Sequence, residues 1–174
     1  MFQKLHLSKK RGLASLAIAA SLIAGGFAIA KTQSQPSPLQ NSMAAYIVGM
    51  DSAGNEFLQE ASQVAPGQTI EYALTYSNVG DSALKDIVVT SPIPASTAYI
   101  GQSAFTPANA TLQVSIDGGS TFESEPVVRI VTDANGKEVE QIIPPHKYTH
   151  VRWQMKQPLN AGETQQFALR SLVK

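Results

Sequence analysis

Residues 66–80, Pro66-Gly67-Gln68-Thr69-Ile70-Glu71-Tyr72-Ala73-Leu74-Thr75-Tyr76-Ser77-Asn78-Val79-Gly80, decide the fold class. A Pro-Gly turn opens the stretch, a period-2 strand follows, and an Asn-x-Gly turn closes it. Successive side chains of a strand point to opposite faces. Ile70, Tyr72, Leu74 and Tyr76 therefore share an apolar face, while Glu71, Ala73, Thr75 and Ser77 form a face suited to solvent. The pattern is that of an amphipathic strand in a two-layer β fold.

Working outward, further short strands are expected at 43–50, 56–59, 85–90, 97–100, 112–116, 127–132, 138–142, 149–154 and 165–173. Turn residues separate them: Asp51 to Asn55, Asp81-Ser82, Asp117-Gly118-Gly119, Asp133 to Gly136 and Asn160-Ala161-Gly162. Gly supplies the positive φ that hairpin turns require. Ser91-Pro92-Ile93-Pro94 is expected to stop one strand, because Pro cannot donate to a ladder. Residues 56–64 alternatively hold a short turn of helix. Short strands with turn signals every ten residues or so indicate an all-β sandwich of about 7–9 strands.

The first 30 residues differ in kind. Lys4, Lys9, Lys10 and Arg11 form a basic region, and residues 12–30 carry no charge. Ala28-Ile29-Ala30 ends that run as small-x-small before Lys31. This is the pattern of a secretory signal peptide, helical in its apolar part and cleaved after Ala30. The rival reading is an uncleaved anchor, since the uncharged run approaches the length that spans a bilayer. Lys10-Arg11 is not a twin-arginine pair. Either reading takes the rest of the chain out of the cytoplasm, to the periplasm, the cell surface or the medium. Residues 31–40 (KTQSQPSPLQ) read as a flexible linker, and residues 41–174 as the folded domain.

The chain has no cysteine, which excludes disulfides, thiol catalysis, thiolate metal sites and lipoprotein anchoring. All 13 acidic residues lie after Ala30, against nine of the 13 basic ones, so that part carries a formal charge of −4. The signs are interspersed, without the basic stripe that nucleic-acid binding requires.

Ser115-Ile116-Asp117-Gly118-Gly119-Ser120-Thr121-Phe122 matches an Asp-box hairpin, Ser-x-Asp-x-Gly-x-Thr-aromatic. In such a turn the Asp caps backbone N–H groups and the aromatic packs beneath, so Asp117, Gly118 and Gly119 are assigned a structural role. His146 and His150 fall about 13 Å apart if both lie on one strand, too far to share a zinc. The loops at Asp51 and Asp133 lack the full EF-hand ligand series and read as hairpin turns, with weak calcium binding left open. Glu123 and Glu125 share a face but suggest no cleft of the kind a glycosidase needs, and read as a solvated acidic edge. No Gly-x-Ser-x-Gly elbow is present. Trp153, the only tryptophan, alternates with Arg152 and Gln154 and is expected in the core; exposed, it would stack on a sugar ring.

Pro66-Gly67-Gln68-Thr69-Ile70-Glu71-Tyr72, Tyr76-Ser77-Asn78-Val79-Gly80, Ile87-Val88-Val89-Thr90 and Ile93-Pro94 together resemble the bacterial conserved-repeat domain, the family called domain of unknown function eleven. Val151-Arg152-Trp153 and Leu159-Asn160-Ala161-Gly162-Glu163-Thr164 look like that family's closing strands. The resemblance runs from about Ala44 to Val173. It implies an immunoglobulin-like sandwich used as a stalk or spacer in envelope or secreted proteins, with no catalytic residues to carry over. Two departures stand out: there is one copy rather than an array, and Ser91 replaces the acidic residue that often precedes the family's x-Pro turn. An ion site depending on that carboxylate is not expected.

The functional expectation is a non-catalytic, exported structural or interaction module without a cofactor; the alternative is a small carbohydrate- or ligand-binding sandwich. The partner is an unidentified protein or a second copy joined through sheet edges. The first strand, following a flexible tail, is the expected donor, and deleting residues 31–50 is expected to abolish oligomers. Nucleic acid is not expected, and contact with a membrane is expected only through an uncleaved N-terminal segment.

Overall fold

The computed structural model describes residues 37–174. The expected signal segment, its expected cleavage positions Ala28, Ala30 and Lys31, and the expected linker as far as residue 36 lie outside the described residues. The strands in chain order are β1 (Leu39–Met50), β2 (Glu56–Glu60), β3 (Thr69–Asn78), β4 (Val88–Pro92), β5 (Thr97–Tyr99), β6 (Ala110–Ser115), β7 (Val128–Thr132), β8 (Glu138–Ile142), β9 (His150–Met155) and β10 (Thr164–Val173). These ten strands slightly exceed the expected seven to nine. A single 3₁₀ turn, Pro145–Lys147, interrupts them.

The opening stretch folds as its pattern dictates. Gly67 takes φ 86°, open to glycine at no steric cost, and its N–H bonds to Val173 O at 2.9 Å. β3 buries Ile70 and Leu74 and half-buries Tyr72 and Tyr76 on one face. Glu71, Ala73, Thr75 and Ser77 are half-buried rather than open to solvent. The reason is position: β3 is the middle strand of the antiparallel five-stranded sheet β2-β1-β3-β10-β5.

β4, β9 and β6 make a second antiparallel sheet in the order β4-β9-β6, and β7 and β8 pair only with each other. Leu74, Phe167 and Leu169 of the larger sheet share one apolar core with Val89, Val114, Val151 and Trp153 of the smaller one. Trp153 is 1% exposed, and its ring centroid lies 5.5 Å from that of Phe167. It is a core anchor and offers no surface for a sugar.

Several boundaries differ from expectation for physical reasons. β1 starts at Leu39, inside the expected linker, because Leu39 and Gln40 pair with Asn78 and Ser77. Backbone pairing needs no apolar side chain, so the polar run Gln40-Asn41-Ser42 gave no signal of it. Residues 56–60 form β2 instead of a helical turn. β4 begins three residues later than expected, because Asp86 sits at φ 55° and interrupts the extended backbone. β4 also includes Pro92, which an edge strand tolerates because its missing N–H faces away from the partner. Within the chain β1 bonds to β2 on one edge and β3 on the other. Deleting residues 31–50 therefore removes two strand pairings as well as any donor segment.

Asn78 ends β3 and is 1% exposed. Its side-chain Nδ2 donates to Ser82 O (2.8 Å) and Leu159 O (2.9 Å), and its Oδ1 accepts from Gly80 N–H (3.0 Å). Its backbone bonds to Glu163 O (2.9 Å) and from Gly162 N–H (2.8 Å). Leaving such buried partners unsatisfied costs about 1–3 kcal/mol. Asn78→Ala is thus expected to lower the unfolding free energy by about 2 kcal/mol in urea titrations followed by Trp153 fluorescence. A loss below about 0.5 kcal/mol, the range of inert surface changes, contradicts that role.

Candidate functional site

The Asp117 turn follows β6. Asp117 Oδ1 accepts from Ser115 Oγ (2.7 Å) and Thr121 N–H (2.9 Å), and Oδ2 accepts from Thr121 Oγ1 (2.6 Å). Ser115 Oγ in turn accepts from Gly119 N–H (2.9 Å), and Gly118 N–H donates to Thr149 Oγ1 (3.1 Å). Gly118 and Gly119 have φ 76° and 87°, values that favour glycine. Phe122 packs on the outward face of the smaller sheet, under the Arg152 guanidinium, 3.4 Å from ring centroid to Cζ. The hydrogen bonds from Thr121, then from Ser115, hold the Asp117 carboxyl far below the usual carboxylate range.

The other chemistry-bearing residues are similarly engaged. Glu123 forms a two-pronged ion pair with Arg129, one prong at 2.8 Å, which lowers its pKa. Glu125 instead accepts from Tyr99 Oη (3.2 Å) and Gln102 N–H (3.0 Å). The expected solvated acidic edge is thus two half-buried carboxylates with different partners. Burial and then the Glu125 charge push the Tyr99 phenol well up. His146 is exposed on the 3₁₀ turn, not on a strand, and half-buried His150 lies edge-on to Phe122. Asp51 caps Ala53 and Asn55 N–H, and Asp133 caps Asn135 and Lys137 N–H, as hairpin turns require. Among the described residues no group of three or more His, Asp or Glu is placed to hold a metal ion.

The feature that the motifs did not mark is a groove along the outward face of the larger sheet. Ala44, Ala73 and Ala168 lie directly opposite one another across β1, β3 and β10, and their small side chains make its floor. Tyr46 and Leu58 flank it on the β1–β2 side. Phe105 flanks the other, held by reciprocal 2.8 Å bonds between its backbone and that of Ala168. The groove continues past Val48, Met50 and Ile100 into a hollow of about 630 Å³. There Arg170 Nε donates to Glu71 Oε2 (2.8 Å) and Nη1 bonds to Glu56. Phe105 and Met50 are each 65% exposed and Leu58 47%. The charged lining is mutually paired, and the rest mixes apolar side chains with Thr69, Thr75, Gln102, Ser103 and Gln166; its exposed apolar part is suited to covering by an apolar surface. The uninterrupted run Met43-Ala44-Ala45-Tyr46-Ile47-Val48 carries the available signal, because a run without alternation makes both faces of a strand apolar.

Comparison with protein-family models, curated proteins and solved structures finds no match for the chain.

Two outcomes are expected. The folded-state pKa of Asp117 lies below its unfolded value, so its contribution is complete above about pH 4 and is lost as pH falls through the folded value. Asp117→Ala is expected to lower Tm at pH 7 and to flatten its fall towards pH 3, read by thermal melts; an unchanged Tm counts against the capping role. Phe105→Ser is expected to keep stability within about 0.5 kcal/mol of the parent while reducing fluorescence of an apolar dye bound in the groove. Unchanged dye binding excludes the groove as the main exposed apolar surface.

Proposed function

We propose that this chain is a non-catalytic structural or interaction module, exported to the bacterial envelope or the secreted space, with an immunoglobulin-like sandwich as its working part. One observation carries the reading. The carboxylates and hydroxyls that drew attention in the sequence are used in turns and ion pairs, while the outward surface keeps a groove edged by exposed apolar residues and unpaired strand edges. Polar groups saturated by the fold serve stability; exposed apolar area serves contact. The basic-then-apolar N-terminus and the small-x-small motif before Lys31 support export. The resemblance of residues 66–94 and 151–164 to the conserved-repeat domain supports a spacer or presenting role.

Cell fractionation with N-terminal sequencing and in-cell cross-linking tests this reading. The expected result is a chain beginning at Lys31 outside the cytoplasm, cross-linked to a protein of the envelope or to itself. A chain beginning at Met1 in the membrane fraction replaces the free module with a tethered one. A chain retained in the cytoplasm overturns the proposal.

A further inference from the structure

Among the described residues the β7–β8 hairpin pairs with no other strand. A two-stranded ribbon is at best marginally stable on its own in water. The bonds Asp133 N–H to Lys137 O and Ile143 N–H to Val127 O, both 2.8 Å, fix which alternate positions bond across the hairpin. Arg129 and Val131 face β8, so Val128, Ile130 and Thr132 turn their N–H and C=O groups to the open edge. Arg129 Nη1 covers one of these, Val128 O, at 2.9 Å. Val128, Ile130 and Ile142 share one face, with Ile130 60% and Ile142 62% exposed.

A strand edge that pairs with its own copy does so antiparallel about a two-fold axis, and the sequence then decides what meets what. The outward positions of β2 are Glu56, Leu58 and Glu60, so pairing about Leu58 sets each Glu56 against Glu60 of the second copy. On β8 they are Glu138, Glu140 and Ile142, and pairing about the central position sets Glu140 against its own copy. Like charges directly opposite destabilise a pair. On β4 the missing N–H of Pro92 lies on the open edge. On β7, Ile130 meets Ile130, Val128 meets Thr132 and Arg129 meets Val131, with no charge facing a like charge. All but Arg129 are β-branched residues, which favour strands.

We propose that this chain binds a second copy of itself through β7, about a two-fold axis at Ile130, forming a four-stranded β8-β7-β7-β8 sheet. The proposal rests on the interaction-module reading and names its partner. Val128 N–H and both backbone groups of Ile130 and Thr132 are open for the new ladder, and the carbonyl under Arg129 keeps a second lone pair for it.

The absence of cysteine makes the test clean. Hydrogen-bonded antiparallel partners lie about 5.5 Å apart at Cα, within disulfide reach. The exported full chain carrying Ile130→Cys is compared in glutathione buffer with Leu58→Cys and Glu140→Cys, each checked for an unchanged melt. The expected result is a disulfide dimer forming about tenfold faster at position 130. Sedimentation of the parent is expected to show a concentration-dependent dimer whose dissociation constant rises about tenfold or more in Ile130→Glu. Equal rates at the three positions, faster linkage at 58 or 140, or open-ended polymers overturn the pairing. A parent that stays monomeric at high micromolar concentration also overturns it. If that monomer still cross-links to an envelope protein in cells, the interaction-module reading survives; if it cross-links to nothing, both fail.

Discussion

The carboxamide of Asn78 is the interaction on which the two-layer arrangement depends. Among its crossings between the two sheets, the chain makes its first passage from the larger to the smaller after β3 and its last return after β9. Asn78 touches both passages, through Ser82 O on the first and Leu159 O on the second. The reciprocal 2.9 Å bonds between Leu84 and Leu159 continue the tie. With no disulfide, the relative placement of the sheets rests on such bonds and on the apolar core they close. A buried amide that satisfies three partners fixes geometry in a way that apolar packing, which is non-directional, does not.

The same economy governs the acids. Asp51, Asp117 and Asp133 each lie in a turn and accept backbone N–H bonds, and each has its pKa lowered chiefly by the local hydrogen bonds of that turn. Glu123 is lowered by its pair with Arg129. All four are needed ionised, so the turns weaken together in acid, as carboxylates bonded in the folded state take up protons on unfolding. Three of these acids sit in turns and the fourth in an ion pair, so their lowered pKa values read as structural chemistry.

What was legible in the sequence was local. The Ile70-Tyr72-Leu74-Tyr76 face, the Asp117 turn and the burial of Trp153 each follow from neighbours within a few residues. What was not legible depends on pairing between distant strands. Leu39 starts a strand because Asn78 lies opposite it, and Ala73 becomes a groove floor because Ala44 and Ala168 flank it. Glu125 is engaged because Tyr99, 26 residues earlier, reaches it. Asp86 gave no warning that it breaks a strand, since Asp adopts φ 55° only where the fold demands it. Register, not composition, carries these facts, and register is set by the whole sheet.

Several edges of the two core sheets are covered by local devices, while β2 pairs on one side only. Beyond β5, the edge of β10 is covered by Ile100 and Ser103 bonding to Arg170, by Phe105 bonding to Ala168, and by Thr106 bonding to Gln166 O. β6 is capped by the reciprocal bonds between Val114 and Glu123, and β4 carries Pro92. The β7–β8 ribbon differs because its ties to the rest of the fold lie towards its base, the Arg129–Glu123 ion pair among them. Val127 N–H donates to the Tyr148 hydroxyl at 3.1 Å, Val127 O accepts from Ile143 N–H, and Tyr148 stacks on Tyr99 in the core. From Val128 to Ile142 no residue of the ribbon belongs to the apolar core or packs against it. Strand pairing at the ribbon is therefore decided by what lies along its edges, and the fold loses little whichever way it is decided.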